Sequence, residues 1–230
     1  MSRASRLQST QHTVIRCTRC PRLVQWREKV ARDKVPRFKN WNYWGKPVPS
    51  MGDPAARVLI VGLAPAAQGG NRTGRMFTGD RSGDWLFRTL YKFGFANRPE
   101  SISRDDGLQL KDCYITASLR CAPPLNKPMP RELQNCRPYL LQEFQLLKNV
   151  RVVVALGKVA FDVAFISLKA LAVTRLKKKP QFGHGIEIEL NENLTLMGSY
   201  HPSQQNTFTG KLTRQMFDSV FRKARTLVKS

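Results

Sequence analysis

Apolar residues along the chain follow two periodicities. Four short runs are predominantly apolar, the first and third of them rich in valine and isoleucine: 57–62, 113–116, 150–156 and 194–198. Runs this short, without polar alternation, predict strands buried on both faces of a sheet. Elsewhere apolar positions recur every three or four residues. Trp85, Leu86, Leu90 and Phe93 predict a helix with Ser82 as its cap and Gly94 as its stop. Leu140, Leu141, Phe144 and Leu147 predict a second over 138–147, and Val159, Phe161, Val163, Phe165 and Ile166 a third over 158–172. Leu212, Met216, Val220 and Ala224, joined by Phe217 and Phe221, form one stripe on a basic C-terminal helix. Upstream, Cys20-Pro21 opens a helix with Leu23, Val24, Trp26 and Val30 on one face, and KPVPSMGDP (46–54) breaks any regular element.

Strands alternating with helices predict an α/β fold, a mostly parallel sheet covered on both faces. In such sheets ligands bind beyond the carboxyl ends of the strands. Three chemically distinctive segments fall there: 62–66 with the glycine-rich stretch after it, 119–128, and 200–203.

Composition then narrows the partners. The 230 residues carry 39 Lys and Arg against 16 Asp and Glu, a formal charge of +23. One compact domain over 1–230 is expected, with a basic arm over about 1–50 in which Trp26, Trp41, Tyr43 and Trp44 are scattered among charges. The apolar runs fall well short of the roughly 20 residues a membrane span requires. So large a charge, spread in clusters along the chain, suits a surface laid along a phosphate backbone. An anionic membrane and a merely basic protein are the alternatives, the former normally requiring an amphipathic anchor or a lipidation signal. The opening residues lack the apolar stretch of a secretory signal, although their Arg and Ser content faintly resembles a transit peptide. Five cysteines in such a chain suggest metal binding or free thiols in a reducing compartment, the cytoplasm.

Cys17-x-x-Cys20 is one chelating arm, and Cys121 and Cys136 can supply two more thiolates. Four thiolates suit tetrahedral zinc or a [4Fe–4S] cluster, and the split second pair leans towards iron and sulfur. Buried free thiols are the plainer reading, and Cys113, inside a strand, is expected in the core. The glycine-rich stretch lacks both GxxxxGK[ST] and GxGxxG, so nucleotide binding by those routes has no support. Phe77 can stack on a planar ligand or plug the core. Asp80 can be a reacting carboxylate or a turn residue, and His201 an active-site imidazole or the closure of a turn.

Taken together, Gly62-Leu-Ala-Pro-Ala66, GGNRTGRMFTGDRSG, the Cys-x-x-Cys arm, RCAPPLNKP (120–128), Cys136 and HPSQQNTFTGKLT (201–213) resemble the uracil-DNA glycosylase superfamily, in particular its iron–sulfur family 5, or type b. The resemblance runs from about Cys17 to Thr213. It implies a three-layer α/β/α fold around a central four-stranded parallel sheet, and a [4Fe–4S] cluster on Cys17, Cys20, Cys121 and Cys136. It implies a monofunctional enzyme, monomeric and nucleoid-associated, that excises uracil and other deaminated bases such as hypoxanthine from DNA. By motif position, Phe77 stacks on the flipped base, with Gly62, Ala64 and Ala66 around it. Asp80, His201 and Asn126 are the catalytic set. Segment 203–213, with Ser203 and Asn206, enters the duplex, while Arg72, Arg75 and Lys211, which flank the motif loops, are expected to hold flanking phosphates. The sequence departs from other branches in two places. Leu-Ala-Pro-Ala carries no polar residue to activate water, and Ala117 or Ser118 stands where related branches place a uracil-reading Asn. Gln68 stands where many members carry His.

A non-catalytic iron–sulfur module would explain the charge but not Phe77, Asp80 and His201 at one sheet edge. A zinc hydrolase is disfavoured because four cysteines close the coordination sphere.

Overall fold

The structure, a computed structural model, describes residues 2–229. Six strands form one mixed sheet: β1 (Met51–Gly52), β2 (Val58–Gly62), β3 (Cys113–Ala117), β4 (Val152–Leu156), β5 (Glu187–Asn191) and β6 (Leu194–Ser199), in the order β1-β3-β2-β4-β6-β5. The four central strands are parallel and are the four expected; β1 and β5 pair antiparallel at the two edges. The four-stranded expectation is thereby corrected to six. β1 is two residues inside a proline-flanked breaker, and β5 reads Glu-Ile-Glu-Leu-Asn with mostly solvated side chains, so neither shows a continuous apolar run.

Alternation along β2 sorts the core. Val58 and Ile60 face one side, where α4 (Arg81–Lys92) contributes Trp85, Leu86 and Leu90, and α8 (Arg214–Leu227) contributes Phe217, Val220 and Phe221. Leu59 and Val61 face the other, against Phe161, Ala164 and Phe165 of α6 (Lys158–Ala170). The three-layer arrangement follows directly from period-2 strands meeting period-3.6 helices.

The N-terminal arm is more regular than its polar sequence suggests. α1 (Arg3–Ile15), capped by Ser2, buries Leu7, Thr10 and Val14 and packs on α5 (Pro130–Leu146). α2 (Pro21–Asp33) follows with proline in its first turn, as expected. α5 starts well before the expected 138 and passes through Pro138, keeping Cys136, Tyr139, Leu140 and Glu143 buried. The cap of α4 is Asp80, not Ser82. No helix among the described residues is long and apolar enough to cross a membrane.

Candidate active site

The loops leaving β2, β3 and β6 at their carboxyl ends enclose a cleft of about 730 Å³. Ala64, Ala66, Phe77, Asp80, Asn126, His201 and Ser203 line it, so seven of the twelve non-cysteine residues expected from the sequence meet in one place.

Phe77 is buried and held at a left-handed backbone angle (φ 53°) that phenylalanine ordinarily avoids. Its ring rests on Gly62, where an added Cβ would stand 2.7 Å from the ring edge. Gly62 thus supports the aromatic from beneath. Across the cleft the rings of Phe77 and His201 lie nearly parallel, 29° apart in plane with centroids separated by 6.1 Å.

Asp80 caps α4, its Oδ1 accepting the Gly83 N–H at 3.0 Å. The carboxyl also presses against the Cα of Gly69, where any side chain would collide with Oδ2. Burial raises its pKa above the usual carboxylate value, opposed by the Gly83 and Ser82 amides. His201 leaves the end of β6, its carbonyl accepting from Asn206 Nδ2 and from the Ser203 N–H, each at 2.8 Å. Burial pushes its imidazole down to about 4, so the ring is neutral at pH 7. Just upstream, the Tyr200 N–H donates to His184 Nδ1 at 3.1 Å. That bond leaves the His184 proton on Nε2, which faces the Met216 carbonyl at 3.2 Å and tethers this strand end to α8.

Several expected residues lie elsewhere. Arg75 is buried, with Nη2 2.5 Å from Asp106 Oδ2. Arg72 is buried too, its guanidinium stacked on Phe38 (3.8 Å) and Trp41 (4.1 Å) while it donates to the Gln68 and Gly79 carbonyls. Neither is at the surface to meet a phosphate, and both instead brace the two halves of the glycine-rich loop. Asn206 is spent on the His201 carbonyl. Lys211 is exposed, its ammonium 5.1 Å from the centre of the Tyr200 ring. Ala117 and Ser118 are buried beneath the cleft, the Ser118 hydroxyl donating to the Gly62 carbonyl. Gln68 lines the cleft and accepts from the Tyr43 hydroxyl at 2.6 Å.

Sequence reasoning passed over Trp26, Arg37, Arg81 and Leu125, which also line the cleft. Arg37 and Arg81 bring the positive charge that Arg72 and Arg75 do not. Position in the chain gave no clue to Trp26 or Arg37, because α2 and the turn after it reach the cleft only through tertiary packing.

Cys17, Cys20, Cys121 and Cys136 line a second, smaller pocket walled by Leu23, Leu119 and Tyr139. Cys113 sits apart in the core against the sheet. Burial pushes the Cys121 thiol up to about 11 and Cys136 up to about 12. The buried Arg27 opposes the shift of Cys121 by donating to its Sγ at 3.2 Å, and Asn135 donates to Cys20 Sγ at 3.5 Å. Among the described residues no three Cys, His, Asp or Glu side chains converge closely enough to grip a single ion. Ala64 touches this pocket from one side and the cleft from the other.

Comparison with known proteins bears on the same residues. The family model of the Uracil DNA glycosylase superfamily matches residues 49–225. The chain is 51% identical over 212 residues to the Type-5 uracil-DNA glycosylase of Mycobacterium tuberculosis, covering 92% of this chain and 78% of that one. It is 48% identical over 216 residues to the Type-5 uracil-DNA glycosylase of Thermus thermophilus, covering 94% and 95%. With the Type-4 uracil-DNA glycosylase of Thermotoga maritima the identity is 27% over 174 residues, 75% of this chain and 78% of the other. With the matched region spanning the sheet and the loops that leave β2, β3 and β6, the chain belongs to the uracil-DNA glycosylase superfamily.

Proposed function

We propose that the chain is a monofunctional DNA glycosylase that hydrolyses the bond between uracil and deoxyribose in DNA and so starts base excision repair. The observation that carries this reading is the meeting of Phe77, Asp80 and His201 at one cleft on the carboxyl edge of the sheet. The reacting C1′–N bond is hidden in a stacked duplex, so the nucleotide rotates out of the stack into the cleft. There the base lies against Phe77. As the bond breaks, its electron pair passes to the base, whose carbonyl oxygen gains negative charge while the sugar becomes positive. The neutral His201 donates to that oxygen, a preorganised contact typically worth about 3 kcal/mol. The Asp80 carboxylate offsets the sugar charge, orients the water that adds to C1′ and takes the proton this water sheds, which is then passed to the departing uracil anion. Asn126, exposed at the rim, contacts the base from the opposite wall.

The wall of small residues at Ala64 and Ala66, with no Asn at 117 or 118, leaves room for a purine, and hypoxanthine is a second substrate. The four cysteines, all soft donors in one apolar pocket, suit a [4Fe–4S] cluster. When bound, such a cluster cross-links the arm bearing Cys17 and Cys20 to the body bearing Cys121 and Cys136 and takes no part in bond cleavage. The whole chain works as one monomeric unit on chromosomal DNA in the cytoplasm.

The test is strand scission after alkali on duplexes carrying uracil or hypoxanthine. Scission at both lesions is expected. Protein that binds these duplexes and leaves every glycosidic bond intact would overturn the reading in favour of a binding module.

A further inference from the structure

Leu125 is the most exposed large hydrophobic residue described, with 81% of its surface open. It stands on the loop leaving β3, in a tight turn formed by Pro124–Asn126. An aliphatic side chain standing in water forgoes the burial that would stabilise it. Its backbone adds a second cost. Leu125 is left-handed (φ 54°, ψ 22°) and Asn126 follows at φ 56°. Asn tolerates that conformation, whereas Leu does so only when the surroundings impose it. Prolines at 123, 124 and 128 stiffen the turn, so the leucine is presented on a rigid mount. Leu125 lines the same cleft as Phe77, Asp80, Asn126 and His201.

A cation from the other wall completes the picture. Arg81 lines the cleft, bonds Thr207 at 3.1 Å and stacks on Phe208, which is itself 67% exposed. Apolar tips thus stand on two separate segments, the turn after β3 and the short helix Gln204–Phe208 after β6, beside the cations Arg81, Arg37 and Lys127, which suit a phosphate backbone. A base leaving a duplex opens a gap in the stack, and apolar side chains that fill such a gap hold the helix open.

We propose that Leu125 is a wedge, a positioning residue that enters the base stack beside the extruded nucleotide and holds it in the cleft. The proposal rests on the glycosylase reading above. It assigns the residue a role needed on duplex DNA and dispensable on a single strand, where no stack has to be kept open.

Single-turnover cleavage of uracil in duplex and in single-stranded oligonucleotides separates these roles for wild type, Leu125→Ala and Leu125→Met. Leu125→Ala should lose roughly tenfold on the duplex, part of the cost of unstacking a base, with little change on the single strand. Leu125→Met should restore the duplex rate. Equal losses on both substrates would make Leu125 part of the pocket and overturn the wedge. Unchanged duplex cleavage would overturn it too. Should wild type cleave neither substrate, the glycosylase reading itself fails, an outcome distinct from a defect confined to one variant.

Discussion

Asp80 has two tasks that pull on its carboxyl in different ways. As the cap of α4 it needs only an acceptor oxygen for the Gly83 N–H, and asparagine supplies one equally well. In the proposed reaction it must carry charge in a buried place that disfavours charge. Asp80→Asn should therefore melt at or above wild type in a denaturation experiment, while single-turnover cleavage falls by roughly tenfold or more. His201 behaves differently. Its pKa is lowered from 6.5 to about 4, so the imidazole should add no limb to the rate profile near pH 6.5. Its contribution to folding stability is complete above 6.5 and is lost as pH falls towards 4, because the unfolded chain takes up the proton first. On the proposed mechanism an acid-side decline in rate comes from Asp80, whose pKa is raised, and should be missing from the residual activity of Asp80→Asn when both are measured at constant ionic strength. The positions of Phe77, Asp80 and His201 at one cleft were legible because the segments that carry them follow β2 and β6. Those of Arg72 and Arg75 were not. An arginine in a glycine-rich loop reads as a phosphate ligand, and only tertiary structure reveals the Phe38 and Trp41 rings or Asp106 waiting for it.

Among the elements, the four central strands and the helices α4, α6 and α8 were readable because each buries a face with its own period. The missing ones, α1, β1 and β5, are half-solvated, and α1 is held by contacts distant in sequence. Its Gln11 donates to Glu143 of α5 and to Tyr114 of β3, and accepts from the Ser50 N–H. Glu143 is fully buried and also accepts from Thr116 at 2.6 Å and from Arg120 at 2.5 Å. Arg120 in turn donates to the Ser50 hydroxyl. This network fastens the arm to the sheet directly beside Cys121, and its charges have no water to fall back on. Removing one partner leaves the other unpaired, so Glu143→Leu should cost about 3–5 kcal/mol of unfolding free energy. The double variant Arg120→Met with Glu143→Leu should regain most of it, since a buried ion pair seldom outperforms an apolar pair of similar size. Urea titration of both variants decides this. A double variant no better than the single would show that the hydrogen bonds to Gln11, Thr116 and Ser50 outweigh the charge.

At the scale of the molecule, the N-terminal arm and the body meet at the four thiols. Cys17 and Cys20 stand between α1 and α2, Cys121 follows β3, and Cys136 lies within α5. A cluster bound on these cysteines, as proposed, would fix more than the arm's own helices. The segment beyond α2 carries Phe38 and Trp41, whose rings clamp Arg72, and Arg72 holds the carbonyls of Gln68 and Gly79 on either side of Phe77. A path of direct contacts therefore runs from the arm to Arg72, and from Arg72 to the residue before Asp80. The arm also supplies Trp26 and Arg37 to the cleft itself. Cys121→Ser should accordingly lose the visible absorbance of the cluster and lower the melting temperature together. Limited proteolysis should then cut within 34–50, the segment linking α2 to the sheet, faster than in wild type. Cleavage of uracil DNA should fall even though Phe77, Asp80 and His201 are untouched. A colourless Cys121→Ser protein that melts, resists protease and cleaves like wild type would mean that the hydrogen-bonded network around Glu143 holds the arm unaided.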